Sequence, residues 1–176
     1  MTEDRQDLRP KADIPSAPDQ ASSPEPLGTE ELFCLLEQAI ILATEAHRGQ
    51  RDKAGRPYIL HPLRLMFRQK SPEAMIIAVL HDVVEDTALT FADLEQAGFP
   101  ASVITALTLL THDKELPYME YIAGIAKNSL ATLVKLADLQ DNMDISRIPQ
   151  PTSKDYSRLE KYSKAFQYLT NFRDWS

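Results

Sequence analysis

The chain has one cysteine, Cys34, so an intrachain disulfide is impossible and no thiolate cluster can hold a metal. That usage fits a reducing compartment. Long apolar runs are also missing. The densest, from Ala74 to Leu80, is about a third of the roughly 20 residues needed to span a bilayer. The acidic N-terminus carries no apolar segment of the kind that opens a signal peptide, so a cytoplasmic protein without a membrane partner is expected. Only five glycines are present, and none forms a glycine-rich phosphate loop. Strand-like alternation and internal repeats are absent too. Positive charge is in deficit: the formal net charge is −7. Such a surface repels phosphate polymers and argues against a general DNA- or RNA-binding role. A small anionic substrate stays possible, because a metal and a few local cations can invert the field inside one cleft.

What is present supports one domain of ordinary size: 176 residues, of which 43% are hydrophobic. Residues 1 to about 26 hold five of the twelve prolines and almost no large apolar residue. Such a segment buries too little surface to offset its ordering entropy. The expectation is a disordered tail over residues 1–27, with a partner-binding arm as the alternative, and an ordered domain over 28–176. Order should begin at Thr29 as an N-cap with Glu30 and Glu31 in the first turn. Leu32, Leu35, Leu36, Ala39, Leu42, Ala43 and Ala46 then recur at helical spacing. A polar loop over 51–57 follows, and a short helix is expected from about Pro62. Ser71-Pro72 reads as N-cap and N1 proline for a helix over 72 to about 85. Thr90 with Asp93 resembles a capping box, closed by Gly98. Further helices are expected over 100–110, 117–127, 129–142 and 153–171. The fold class is all-α, an irregular helical bundle.

Two segments place acids in apolar helices, where acids are rare. The helix that is apolar up to Leu80 then presents His81, Asp82, Glu85 and Asp86. His81 and Glu85 stand four apart, as do Asp82 and Asp86, so each pair is expected to share a face. Adjacent acids at a helix C-terminal end repel one another and meet its negative dipole, and a bound cation is the simplest compensation. The second segment holds Asp138, with Asn142 one turn on. A buried carboxylate needs a cation or a donor network, and a salt bridge to Lys135 or Arg147 is the alternative. His61 offers a second imidazole. His47 and His112 read as structural or solvated.

Tyr58-Ile59-Leu60-His61-Pro62, Leu80-His81-Asp82-Val83-Val84-Glu85-Asp86-Thr87 and Lys135-Leu136-Ala137-Asp138-Leu139-Gln140-Asp141-Asn142 resemble the motifs of HD-domain hydrolases in the RelA/SpoT superfamily, and among them the small alarmone hydrolases. The resemblance runs from about Ala46 to Phe166. It implies an HD-domain helical bundle with Mn2+ on His61, His81, Asp82 and Asp138. It implies hydrolysis of (p)ppGpp to GDP or GTP and pyrophosphate, with Glu85 and Asp86 activating the water and Asn142 donating beside them. By the same resemblance Lys53, Arg158 and Tyr162 contact the substrate phosphates. Two positions depart from the pattern: Asp52 stands where an arginine stacks on the base in the long relatives, and Asp141 replaces a frequent histidine. Asp52 is therefore a candidate to read the base, with a solvated loop residue as the alternative. Other readings are an HD phosphohydrolase of ppApp or NADPH, and a catalytically silent nucleotide-binding or antitoxin-like module.

Overall fold

A computed structural model describes residues 27–173. The tail expected over 1–27 lies, but for its last residue, outside the described residues. Those described form nine α-helices and one 3-10 helix, with no strand. The only strand-like pairing among them is an isolated antiparallel bridge between Arg51 and Pro57 at the two ends of the polar loop. In order the helices are α1 (Thr29–Ala46), α2 (Leu60–Met66), α3 (Pro72–Leu80), α4 (Val83–Asp86), α5 (Phe91–Gln96), α6 (Ala101–Leu110), α7 (Tyr118–Ile125), α8 (Ser129–Met143) and α9 (Ser153–Arg173), with the 3-10 helix at Ile145–Arg147. The all-α class follows, as the periodicity indicates.

Helix α3 is the centre of the bundle. Every residue from Ile76 to His81 is buried, and α3 packs against α1, α2, α6 and α8. Ser71 caps it by accepting from the Ala74 N–H, with Pro72 at N1. Three boundaries differ from expectation. The cap of α1 is Gly28 rather than Thr29, because the Glu31 carboxylate reaches back to accept the Gly28 N–H at 2.8 Å. Helix α2 opens at Leu60, so Pro62 sits within its first turn, where its missing N–H costs nothing. The expected helix over 72–85 is interrupted: α3 stops at Leu80, His81 and Asp82 form a turn, and α4 resumes at Val83. At that turn the His81 imidazole Nδ1 takes the Ala78 carbonyl as its acceptor at 2.9 Å. The reciprocal Thr90–Asp93 capping box forms, and Gly98 supplies the left-handed φ of +88° that ends α5.

This packing brings the C-terminal end of α3, the first turn of α2 and the middle of α8 to one place. The loop over 51–57 and α9 wall it in.

Candidate metal centre and substrate cavity

The residues singled out from the sequence line or underlie one cavity of about 510 Å³. On its floor His61 arrives from α2, His81 and Asp82 from the turn after α3, and Asp138 from α8. His61 Nε2 lies 3.3 Å from Asp138 Oδ1 and 3.8 Å from Asp82 Oδ2. His81 Nε2 lies 2.9 Å from Asp82 Oδ2 and 3.9 Å from Asp138 Oδ1. Ligand atoms of His61, His81 and Asp138 all fall within 4.8 Å of one another, and all three residues are buried. His81 Nε2 makes no hydrogen bond despite its burial, an expensive condition for a polar atom. Its Nδ1 is engaged with the Ala78 carbonyl, and Nε2 faces the carboxylates, 2.9 Å from Asp82 Oδ2 but without hydrogen-bond geometry, where it can give its lone pair to a cation in place of a proton. Two imidazoles and carboxylates converging with an orphaned nitrogen fit a divalent metal.

The groups around this core hold it in place. Tyr58 donates its hydroxyl to Asp82 Oδ2 and lies 3.5 Å from Asp86 Oδ2. Lys135 Nζ donates to Asp138 Oδ2 at 2.9 Å, and Asn142 Nδ2 to Oδ1 at 2.5 Å. Of the two salt-bridge partners considered for Asp138, Lys135 pairs with it, whereas Arg147 turns to Asp141. Asp141 is 1% exposed and accepts from His61 Nδ1 at 2.8 Å and from Arg64 through both oxygens.

These contacts set the protonation states. Burial works against the charge on His61, but hydrogen bonds to Asp138 and Asp141 outweigh it and push the imidazole up to about 9. Burial likewise opposes ionisation of Asp82, yet the adjacent His81 wins and its carboxyl is lowered to about 2. Asp138 and Asp141 fall further below the carboxylate range, held there against burial by Lys135 and His61 and by Arg64 and His61 respectively. Asp86 moves the other way: desolvation against the cavity wall and the neighbouring charge of Asp82 raise it. A carboxylate that is easier to protonate suits proton transfer better than ligation.

Glu85 and Asp86 line the cavity at its acidic side, and both are exposed. Glu85 Oε2 accepts from the His112 N–H at 3.2 Å. Lys53, Arg158 and Tyr162 line the cavity, and Lys53 forms an ion pair with Asp155 at the start of α9. Asp52 lines it as well, with Oδ1 accepting from the Ala54 and Arg56 N–H groups at 2.9 and 2.8 Å. That oxygen is spent on the turn. Sequence reasoning missed Tyr118, Tyr121 and Lys161. They form an aromatic and cationic wall together with Lys135, named only as a partner for Asp138, and His112, which lines the cavity where a structural or solvated residue was expected. Lys161 Nζ sits 4.1 Å above the Tyr118 ring, within cation–π range. The spacing of Tyr118 and Tyr121 on α7 is an ordinary core pattern, so nothing local marks them.

No protein-family model matches the chain. Among curated proteins, it is 35% identical over 142 residues to the guanosine-3′,5′-bis(diphosphate) 3′-pyrophosphohydrolase MESH1 of Danio rerio, covering 73% of this chain and 78% of that protein. It is also 35% identical over 128 residues to the bifunctional (p)ppGpp synthase/hydrolase SpoT of Escherichia coli K12, covering 65% of this chain. The chain spans only 18% of that longer protein. Among solved structures, it superposes with a TM-score of 0.66 at 28% identity on a metazoan ortholog of SpoT that hydrolyzes ppGpp and plays a role in starvation responses, covering 77% of this chain and 84% of that one. The chain belongs to the HD-domain guanosine-3′,5′-bis(diphosphate) 3′-pyrophosphohydrolase family.

Proposed function

We propose that this chain is a cytoplasmic, Mn2+-dependent hydrolase of (p)ppGpp, releasing pyrophosphate and GDP or GTP as part of the stringent response. The observation that carries the reading is the convergence of His61, His81 and Asp138, with Asp82 beside them, on the floor of a cavity wide enough for a nucleotide. Two imidazoles and two carboxylates, with room for water, suit Mn2+ better than a closed structural zinc site. A divalent ion there supplies Lewis-acid polarisation of a phosphoryl oxygen and makes water more acidic.

The chain's own residues do the rest. Glu85 and Asp86 orient the attacking water and take its proton. Water adds to the phosphorus joined to the ribose 3′-oxygen, the P–O3′ bond breaks, and the freed 3′-oxygen takes up a proton. Asn142 holds Asp138 in register from one turn away. Arg158, Tyr162 and Lys53 bind phosphate oxygens, Lys53 exchanging its Asp155 partner for the substrate. Asp52 has one carboxylate oxygen left for the base.

Product analysis on chelator-treated protein tests this, with ppGpp, pppGpp, ppApp and NADPH offered in turn and Mn2+ restored. Pyrophosphate release from ppGpp or pppGpp only after Mn2+ addition is the expected result. Inactivity on both guanosine alarmones, or full activity without metal, sinks it. Turnover confined to ppApp or NADPH moves the chain to another substrate on the same chemistry.

A further inference from the structure

We infer that Asp141 is a positioning residue of the metal centre, the outer member of a carboxylate–histidine–metal arrangement. The inference rests on the reading of His61 as a ligand. Asp138 and Asp141 stand three apart on α8 and so occupy neighbouring positions on one helix surface. They grip opposite nitrogens of the same ring: Asp138 Oδ1 is 3.3 Å from His61 Nε2, and Asp141 Oδ2 is 2.8 Å from His61 Nδ1. An ionised carboxylate only accepts, so Nδ1 must be the nitrogen that keeps its proton. That leaves Nε2, which faces Asp82 and Asp138, as the nitrogen that gives its lone pair to a cation.

Asp141 is itself immobilised. Arg64, one turn beyond His61 on α2, meets it with Nε to Oδ1 at 2.8 Å and Nη2 to Oδ2 at 2.8 Å. Arg147 reaches Oδ2 at 3.1 Å and also donates to the Asp141 backbone carbonyl. Arg68 stands 3.6 Å from Oδ1. A carboxylate needed only to tie α2 to α8 would be satisfied by the Arg64 fork alone. Here Oδ2 also accepts the His61 Nδ1–H at 2.8 Å, closer than the Arg147 guanidinium beside it at 3.1 Å. The arginines also keep Asp141 from swinging inward to become a ligand. A carboxylate behind a ligating imidazole fixes the ring and strengthens its free nitrogen as a donor, and losing such a partner typically costs about 10- to 100-fold in metal affinity. Arg147 lines the substrate cavity, so the same clamp joins that wall to the metal centre.

Calorimetric titration of the metal-stripped full chain with Mn2+ tests the assignment. Asp141→Asn, which keeps the shape and removes the charge, should bind Mn2+ about 10- to 100-fold more weakly than wild type. Raising Mn2+ should restore its turnover, with an unchanged KM for ppGpp, which a misfolded cavity would not allow. Should that variant fail to fold, long-range 1H–15N spectra of the wild type loaded with diamagnetic Zn2+ decide. His61 must then show a protonated Nδ1 and a ligated Nε2. Wild-type affinity in folded Asp141→Asn, or ligation through Nδ1, overturns the inference while leaving the metal centre standing. A wild type that binds no Mn2+ removes the metal reading and this inference together.

Discussion

At the scale of single residues, the acids of the site divide by what surrounds them. Asp82 and Asp138 are held ionised by imidazoles and Lys135, whereas Asp86 is raised toward protonation. Glu85 stands apart on the rim, tied only to the His112 backbone. Glu85→Gln should therefore keep its metal, measured by calorimetry, while turnover falls by about 10²-fold or more, the scale of a lost general base. Loss of metal instead would make Glu85 a ligand. His61 gives a second, pH-dependent prediction. Its folded value of about 9 lies above the ordinary value near 6.5 of the unfolded chain. Its charge therefore stabilises the metal-free fold fully below about pH 6.5, and that contribution is lost as pH rises through about 9. Urea midpoints of chelator-treated protein should fall across this window. With metal in place, Nε2 no longer carries the proton, and the fall should flatten. An unchanged slope with and without metal means that His61 does not ligate.

Elements were legible where local chemistry dictates them. Ser71-Pro72 and Thr90 with Asp93 announce their helices because caps satisfy orphan N–H groups within three residues. The turn at His81-Asp82 was not legible. No glycine or proline marks it, and the apolar pattern runs on through Val83 and Val84. It is made by His81 turning to the Ala78 carbonyl, which depends on where the ring is held in the bundle. The metal group was legible for the opposite reason, since buried histidines and acids in apolar helices require a compensating partner. The supporting shell was not. Asp141, Tyr118 and Tyr121 gain their roles from α2, α7 and α9 meeting α8, and no spacing along the chain encodes that meeting, whereas Lys135, three residues from Asp138 on α8, was legible as its partner. The division between cap and site is testable. Thr90→Ala, at the head of α5, should cost about 1 kcal/mol of stability and leave kcat and KM alone. Arg158→Ala, on the cavity wall of α9, should raise KM with little change in melting temperature. An Arg158→Ala enzyme with wild-type KM would remove that residue from the substrate contacts.

At the scale of the whole molecule, one cluster does the work of joining the bundle. Among the described residues the buried core draws its members from Ala39 to Leu169, and residues 1–26 hold almost no large apolar side chain to offer it. Their deletion should leave both activity and melting temperature nearly unchanged, and a large drop in either would show that they dock on the domain. The histidine–aspartate group, by contrast, joins α2, the turn after α3, and α8 through polar side chains, and Asp141 adds a second polar link between α2 and α8. These helices bring imidazoles and carboxylates together in the interior, and His81 Nε2 makes no hydrogen bond there. An ion that binds only the folded arrangement adds stability by mass action, about 2.7 kcal/mol at a concentration 100 times its dissociation constant. For a chain of this size that corresponds to roughly 5–10 °C in melting temperature. Chelation should lower the transition by that much, Mn2+ should restore it in proportion to the logarithm of its concentration, and Asp138→Ala should abolish the response. The same substitution removes the partner of buried Lys135, so its metal-free melting temperature should also fall below that of the metal-free wild type. A metal-dependent shift that persists in Asp138→Ala would place the ion elsewhere on the protein.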